Sequence, residues 1–258
     1  IRFFFSITGT NTAGRVWESQ FWSSNLSKVA ISQSNYIPWK GYFDLIQKAD
    51  FFVLMDSVQY TRRDWRNRNK IVGVNGELMW LTIPVKTKGK FTAQINEIET
   101  ANDEWRLDHL KAIHHSYKHT PHFKKIIPVF EELYLNYFDI KLSSINRKFI
   151  ESICALLEIN TKLVSSLAYP NAATANQKLL LECKRFDTKI YISGPSASSY
   201  LDIHEFNKAG VDVEWMNYDG YPQYHQNTAE FEPFVSIIDL LFNHGFDSKK
   251  YLLKTGLD

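Results

Sequence analysis

Two short apolar runs flank a segment with helical spacing where the regular part of the chain begins. The runs are residues 29–31 and 51–55, and residues 41–48 between them carry apolar side chains at the spacing of one helical face. A strand, a helix and a second strand at this distance form the βαβ unit of a parallel sheet. The pattern therefore predicts an α/β fold with a ligand site at the carboxyl edge of its strands.

A tight turn indicates a hairpin after the second strand. Within residues 71–85, alternating apolar residues flank Asn75 and Gly76, which supply the two positive-φ positions of a type I′ turn. A further strand is expected over residues 94–98. The hairpin lies between the βαβ unit and a long helical region, so it interrupts the alternation of strands and helices.

The middle of the chain is helical, and strands return after it. Helical spacing recurs over about residues 104–158, which predicts a helical insertion packed on the sheet. Later strands are expected at residues 162–164, 190–192 and 211–215, and later helices at 175–186, 204–209 and 236–242. The alternation predicts a mostly parallel, Rossmann-like α/β sheet with a β-hairpin and a helical insertion.

Composition excludes several classes of protein. The chain has 258 residues, 44% hydrophobic and 22% charged, so it can bury a full core and is neither disordered nor fibrous. A formal net charge of +2 does not indicate a nucleic-acid partner, and none is expected. No apolar run reaches the length of a membrane span. These features predict a globular, cytoplasmic protein in which any basic site is local; the expected partner is a small-molecule or nucleotide-sugar substrate.

Domain organisation follows from where the regular pattern starts. Residues 1–27 mix small polar residues with isolated aromatic residues, and we interpret them as an N-terminal extension or leader. Residues 28–258 are expected to form a single α/β domain. Cys154 and Cys183 lie in predicted helices without C-x-x-C spacing, so both are expected to be reduced core residues.

The densest polar cluster follows the second predicted strand, within residues 56–70. Four arginines there stand close to one tryptophan. Guanidinium groups bind phosphate or carboxylate in a bidentate manner, and an indole offers a face to a ring. The position at the carboxyl edge of a strand favours an anionic ligand over a merely solvated loop. The predicted ligand contacts are Gln59, Arg62, Arg63, Trp65, Arg66, Asn67 and Arg68, with Asp56 as a candidate base.

Two other loops lie at the same predicted edge. Residues 33–42 lead into a helix N-terminus, whose free N–H groups and positive dipole end suit an anion. Residues 193–200 offer hydroxyls and backbone donors without Walker or G-x-G-x-x-G spacing. Simple packing of a turn is the competing explanation for the aromatic residues. The candidate contacts are Asn35, Tyr36, Trp39, Tyr42, Ser193, Gly194, Ser196 and Tyr200.

A third polar group lies near the C-terminus. Asp239 and Asn243 are four residues apart on an apolar helix, so they share one face and can point together into a pocket, with Gln226 upstream. Asp239 is a second candidate base, although a buried structural carboxylate fits the spacing equally well. His115 and His119 also share a helical face, but no third ligand has a matching spacing, so no metal site is predicted.

Three segments together resemble the signature of the WbqC-like family. They are residues 31–69 with Asn35-Tyr36, Pro38-Trp39 and Trp65-Arg66-Asn67-Arg68, residues 191–201 with Tyr191-Ile192-Ser193-Gly194, and residues 231–245 with Ser236-Ile237-Ile238-Asp239. The resemblance runs in order over about residues 28–245. One difference is Ser34, where the family usually has proline.

The resemblance implies a role in bacterial surface-polysaccharide synthesis. The family is found in O-antigen gene clusters, and it is expected to decorate sugars, with glycine transfer suggested for some members. The chain is therefore expected to transfer an aminoacyl or acyl group, such as glycine, to the amino group of a nucleotide-linked sugar during lipopolysaccharide biosynthesis. This reaction needs ATP or another activated acyl donor, which the sequence does not identify.

Two alternatives remain open from the sequence. One is a non-catalytic module that binds a sugar nucleotide or an anion, since no recognised triad, metal motif or Walker loop is present. The other is an ATP-dependent adenylating amide ligase, because residues 38–42 are similar in placement to the H-x-G-H segment of adenylyl-transferring enzymes. Trp39 and Tyr42 stand where those enzymes have histidines.

Overall fold

The computed structural model describes residues 27–172 and 174–253, so the predicted extension lies outside the described residues except for Ser27. Seven strands and seven α-helices occur in this part of the chain. The strands are β1 (Lys28–Ser32), β2 (Phe51–Leu54), β3 (Arg68–Val72), β4 (Leu78–Thr82), β5 (Lys162–Ser165), β6 (Ile190–Ser193) and β7 (Asp212–Trp215). The helices are α1 (Lys40–Gln47), α2 (Glu104–Tyr117), α3 (Phe123–Leu135), α4 (Leu142–Leu156), α5 (Ala175–Arg185), α6 (Ile203–Lys208) and α7 (Ile237–His244).

The main sheet has five parallel strands in the order β5-β2-β1-β6-β7. The chain builds outward from β1 to β2 and β5, and then returns to add β6 and β7 on the other side. The order thus reverses next to β1, where such sheets open a crevice at the carboxyl ends of their strands. The sheet confirms the predicted mostly parallel α/β fold, and α2, α3 and α4 occupy the span of the predicted helical insertion.

Alternating residues of the central strands face two different layers of the core. Ala30 and Phe52 belong to the large cluster that includes side chains of α1, the three middle helices and α7. Val29 and Val53 belong to the smaller cluster under α5 and α6. Both faces of β1 and β2 are therefore buried, which explains why their sequences are continuous apolar runs.

The hairpin of β3 and β4 is a separate antiparallel sheet. The predicted type I′ turn is wrong, because Gly76 has a positive φ of 85° and Asn75 does not. The Gly76 N–H donates to the Gly73 carbonyl at 3.0 Å, and the Gly73 N–H donates to the Glu77 carbonyl at 2.8 Å. The loop is one residue longer than a type I′ turn allows, so only its last position needs the left-handed conformation.

The strand predicted at residues 94–98 is also wrong. Ile95–Glu97 form a 3-10 turn that is closed by a reciprocal capping box between Gln94 and Glu97. These side chains satisfy the backbone N–H groups that a strand would have paired with a neighbour. In the described parts of the chain, no helix is long and apolar enough to cross a membrane. Both cysteines are buried and unpaired, as predicted.

The turn generates a stability prediction for Gly76→Ala. A Cβ at this position would lie 2.6 Å from the Asn227 carbonyl oxygen, and the positive φ adds strain for any L side chain. Gly89 is a matched control, since its φ is 74° but no atom lies within 4 Å of its Cβ position. Urea unfolding should show a loss of about 1 kcal/mol for Gly89→Ala and at least about 1 kcal/mol more for Gly76→Ala. Equal losses would contradict the close contact with Asn227.

Candidate functional site

The loops after β1 and β2 are joined at the carboxyl edge of the sheet. The Ser34 N–H donates to the Asp56 carboxylate at 2.9 Å. The side-chain amide of Asn146 in α4 donates to the Ser34 carbonyl at 3.4 Å and to the Arg66 carbonyl at 2.8 Å. The Tyr36 N–H donates to the Trp65 carbonyl at 3.0 Å. The helical insertion therefore fixes both loops to one another.

An aromatic cavity of about 260 Å³ opens between these loops and the segment before α7. Its lining residues are Asn35, Pro38, Trp39, Trp65, Asn69 and Phe234. The rings of Trp39 and Phe234 lie 5.3 Å apart. Asn69 donates its amide hydrogens to the Tyr36 and Ile37 carbonyls, which holds the loop after β1 in place. Three aromatic rings, one proline and two asparagines thus line a single small space.

Arg66 places a cation beside this aromatic cavity. Its guanidinium donates to the Asn35 side-chain oxygen and forms an ion pair of 3.3 Å with Asp64. Its Nε is buried without a hydrogen-bond partner. Arg66 contacts Asn35, which lines the cavity, so a phosphate or carboxylate group bound at the Asn35 wall would be stabilised by the nearby positive charge.

The other arginines of the cluster do not converge with Arg66. Arg62 donates to the Thr87 carbonyl at 3.0 Å and covers the ring of Phe91. Arg63 is exposed, with a positive φ of 56°. Arg68 donates to the Arg63 carbonyl, and its guanidinium lies over the ring of Trp80 on the neighbouring strand. The run of four arginines therefore serves several local contacts, and only Arg66 contacts a residue that lines the aromatic cavity.

Asp56 lines a second, polar cavity of about 280 Å³, which shares no lining residue with the aromatic cavity. The cavity is lined by Leu54, Asp56, Ser57, Asn96, Ser143, Ser144, Arg147, Ser165 and Ser166. Burial raises the pKa of Asp56, while the Ser34 N–H and the Arg66 charge act in the opposite direction. Arg147 is paired with Glu151 at 2.7 Å and donates to the Ser165 hydroxyl at 2.9 Å.

Sequence reasoning missed the residues that α4 contributes to the polar cavity. Ser143, Ser144 and Arg147 form no motif in the chain, and they lie more than 85 positions after Asp56. Helical spacing places residues 143, 144 and 147 on one side of the first turns of α4. Only the packing of the insertion against the sheet brings them to the carboxyl edge.

A buried lysine at the start of α1 was also missed. Lys40 is only 3% exposed, and its Nζ has no hydrogen-bond partner. The ammonium lies 4.3 Å from the ring centre of Tyr221, 5.5 Å from that of Tyr224 and 5.4 Å from that of Phe231. Removal from water lowers the pKa of Lys40 to about 8, and cation–π attraction to the rings replaces hydrogen bonds.

One turn further along α1, Asp44 anchors the segment that follows β7. Its carboxylate accepts hydrogen bonds from the Tyr221 hydroxyl, the Leu253 N–H and the Gln47 amide. Burial nevertheless raises the pKa of Asp44 to about 6. In the sequence, the one signal at these positions is the spacing of four residues between Lys40 and Asp44, which is typical of an ion pair on an exposed helix face.

Asp239 lies at a third cavity, of about 470 Å³, together with Asn243. Its carboxylate accepts from the Tyr224 hydroxyl at 2.9 Å and from the Gln226 amide at 2.8 Å. Burial raises the pKa of Asp239, and these donors oppose the shift. Among the described residues, none lines both this cavity and the polar cavity of Asp56. The two candidate bases, Asp56 and Asp239, therefore belong to different places on the molecule.

Several other residues that were predicted to contact the ligand instead form hydrogen bonds that hold the loops in place. The Tyr36 ring is fully buried, and its hydroxyl bonds to His109 at 2.8 Å and to Tyr134. The Tyr42 hydroxyl donates to the Gln33 carbonyl at 2.9 Å. Two further side-chain amides donate hydrogen bonds to backbone carbonyls, Asn67 to Ile83 at 2.8 Å and Gln59 to Phe91 at 2.8 Å.

The loop after β6 lies at the same sheet edge. Ser193 is buried and donates to the Tyr191 hydroxyl at 3.3 Å. Gly194 precedes a 3-10 turn, and Ser196 and Tyr200 are exposed. In the described residues, no group of three His, Cys, Asp or Glu side chains is placed to hold a metal ion.

Comparisons with known proteins identify relatives of the chain. The family model described as the WbqC-like protein family matches residues 33–251, which include the aromatic cavity, Asp56 and Asp239. A protein of Mycobacterium tuberculosis named "Uncharacterized protein Rv1507c" is 43% identical over 227 residues, covering 88% of this chain and 98% of the relative. No solved structure matches the chain. The family match confirms the resemblance that the sequence motifs predict.

The raised pKa of Asp44 predicts a pH-dependent stability. Because the pKa of about 6 lies above the ordinary value of 3.8, the folded chain holds this proton more tightly than the unfolded chain. The resulting stabilisation is complete below pH 3.8 and is lost as the pH rises through about 6. In Asp44→Asn this component disappears, so the difference in unfolding free energy between wild type and variant should change by about 2–3 kcal/mol from pH 4 to pH 7.

Chemical denaturation at several pH values measures this difference. Asp219→Asn, which changes an exposed carboxylate on the same segment, is the control and should follow the wild type at each pH. Parallel curves for wild type and Asp44→Asn would show that Asp44 titrates normally.

Proposed function

This chain belongs to the WbqC-like protein family, and we propose that it is a transferase that attaches an acyl or aminoacyl group to the amino group of a sugar. The observation that supports this most directly is the aromatic cavity with a guanidinium at its side. The activity is proposed to serve the decoration of O-antigen sugars in the cytoplasm, as the family resemblance implies.

The aromatic cavity suits a sugar ring. Trp39, Trp65 and Phe234 offer apolar faces that match the C–H face of a pyranose, and the Asn35 amide can bond a hydroxyl. At about 260 Å³ the cavity is smaller than the roughly 300–1,000 Å³ of sites for drug-sized ligands, which favours one ring. Arg66 would bind an anionic group carried by the same ligand.

The polar cavity beside Asp56 is the proposed place for the acyl group, because Ser34 bonds Asp56 and its chain neighbour Asn35 lines the aromatic cavity, which connects the two cavities. The sugar nitrogen attacks the acyl carbon, the bond from that carbon to the leaving group of the donor breaks, and the nitrogen passes a proton to the Asp56 carboxylate. Burial raises the pKa of Asp56, so this carboxylate is a stronger base than an exposed one. An activated donor, such as a thioester or an acyl adenylate, supplies the leaving group.

The adenylating alternative has less support in the geometry. Of the two residues at the positions of the H-x-G-H histidines, Trp39 is a cavity wall and Tyr42 is buried against the Gln33 carbonyl. Neither side chain is a cationic phosphate ligand. A preformed donor therefore fits the site better than adenylation by this chain.

Asp56→Asn should separate chemistry from binding. Replacement of a general base is expected to lower kcat by at least about 100-fold, while the Kd of the amino sugar changes less than about twofold. Product formation is followed by mass spectrometry of the N-acylated sugar with thioester, acyl-adenylate and aminoacyl donors. Asp50→Asn is the matched control, since Asp50 precedes the opposite end of β2 and bonds the Lys28 N–H there.

Trp65→Ala tests the ring site in the same assays. Loss of one aromatic wall should raise the Kd of the amino sugar by about tenfold or more. If the wild type binds amino sugars through Trp65 but forms no product with any donor, the chain is a non-catalytic sugar-binding module and the transferase proposal is wrong.

A further inference from the structure

Two exposed tryptophans lie against each other beside the hairpin, Trp80 in β4 and Trp65 in the loop before β3. Trp65 is 40% exposed and Trp80 is 43% exposed, and their ring centres lie 5.6 Å apart with planes tilted by 32°. In β3, residues alternate so that Asn69 and Ile71 are buried while Arg68 and Lys70 face outward. Lys70 pairs directly with Trp80 across the hairpin. Large aromatic residues left at the surface in this way mark binding sites.

Two cations surround the Trp80 ring. The Arg68 guanidinium lies 4.3 Å from its centre, and the Lys70 ammonium lies 5.8 Å from it. Arg68 makes one hydrogen bond, from one Nη to the Arg63 carbonyl. Lys70 has a long ion pair of 4.0 Å with Glu232. Both cations therefore retain hydrogen-bonding capacity for an anion on this face.

The exposed face is continuous with the aromatic cavity. Trp65 lines that cavity, and the same side chain stacks on Trp80 outside it. Arg66 follows Trp65 in the chain and holds Asn35 at the cavity wall. A ligand that extends from the cavity along Trp65 therefore reaches the Trp80 ring and the two cations beside it, Arg68 and Lys70.

We infer that this face, the tryptophan platform of Trp65, Arg68, Lys70 and Trp80, binds the nucleoside diphosphate of a nucleotide-linked sugar whose sugar ring occupies the aromatic cavity. In this arrangement the sugar ring lies in the cavity, the diphosphate meets the cations beside Trp80, and the base stacks on the exposed indoles. A base stacks on an indole whatever its identity, and the cations bind the diphosphate. The inference rests on the proposed function, and it names the carrier of the sugar acceptor.

The charges around the platform favour a small dianion over a long polyanion. Asp64 pairs with Arg66, and Glu232 lies beside Lys70 at the edge of the platform. A nucleic-acid strand is long enough to be repelled by these carboxylates, whereas a diphosphate is short enough to contact Arg68 and Lys70 alone. A lipid diphosphate has the same anion but no base for Trp80 to stack on.

Isothermal titration calorimetry of the full chain tests the platform. The probes are UDP, GDP, CDP and ADP, with inorganic diphosphate, the free nucleosides and a free amino sugar for comparison. At least one nucleoside diphosphate should bind at least tenfold more tightly than inorganic diphosphate, with an affinity that falls as salt is raised. Trp80→Ala should weaken that binding at least tenfold, and Trp80→Phe, which keeps a ring in the fold, should give an intermediate value.

Charge variants test the diphosphate contacts. Arg68→Gln and Lys70→Gln should each weaken binding of the nucleoside diphosphate about fivefold and reduce its salt dependence. Two matched controls lie away from the platform. Phe91→Ala removes another exposed ring that pairs with an arginine, and Lys162→Gln removes a lysine 5.7 Å from the Phe51 ring. Both controls should bind like the wild type.

Several outcomes would overturn the inference and leave the proposed function intact. One is acyl transfer to a free amino sugar that no nucleoside diphosphate inhibits. Another is inorganic diphosphate binding as tightly as any nucleoside diphosphate, which would indicate a lipid carrier. A third is equal binding by Trp80→Ala and Phe91→Ala. Conversely, binding that depends on Trp80 without any acyl transfer would support the platform and contradict the transferase proposal.

Discussion

The hydrogen bond from the Ser34 N–H to the Asp56 carboxylate connects the ends of the two central strands, and the candidate site is built around it. Asn146 of α4 donates to the carbonyls of Ser34 and Arg66, so the helical insertion is fixed to the same point. The residues next in sequence, Asn35 and Trp65, line the aromatic cavity. Since an amide N–H and a carboxylate buried together stabilise one another only at close range, small shifts of either loop would change both cavities.

Asp56 and Asp239 are both buried carboxyl groups, but their surroundings differ. Burial raises the pKa of both carboxyl groups. Asp239 is enclosed by the Tyr224 hydroxyl and the Gln226 amide, so it holds the segment before α7 against the body. Asp56 lines a cavity of polar side chains and has Arg66 as its charged neighbour. The surroundings of each carboxyl group, and not its pKa alone, distinguish a candidate base from an anchor.

The parallel sheet was predictable because β1 and β2 are buried on both faces and so appear as continuous apolar runs. The family was predictable from motifs, and the match over residues 33–251 confirms it. The type of the turn at Gly76 was not predictable in this way, because the length of the loop selects the turn type and the Asn-Gly pair does not. The aromatic surroundings of Lys40 could not be predicted from the sequence for another reason. Its aromatic neighbours Tyr221, Tyr224 and Phe231 lie some 180 positions later, and only tertiary packing brings them together.

The aromatic cavity takes its walls from distant parts of the chain. Asn35 and Trp39 follow the first strand, whereas Phe234 lies just before the last helix. Ser236 then joins the two parts, since its hydroxyl donates to the Ile37 carbonyl at 2.7 Å and its N–H donates to the Lys70 carbonyl at 2.8 Å. During synthesis, the growing chain can therefore form the sheet before it can close the cavity. The aromatic cavity is complete only when the segment around residue 236 has left the ribosome, so a stalled chain can be folded in part while the cavity lacks one of its walls.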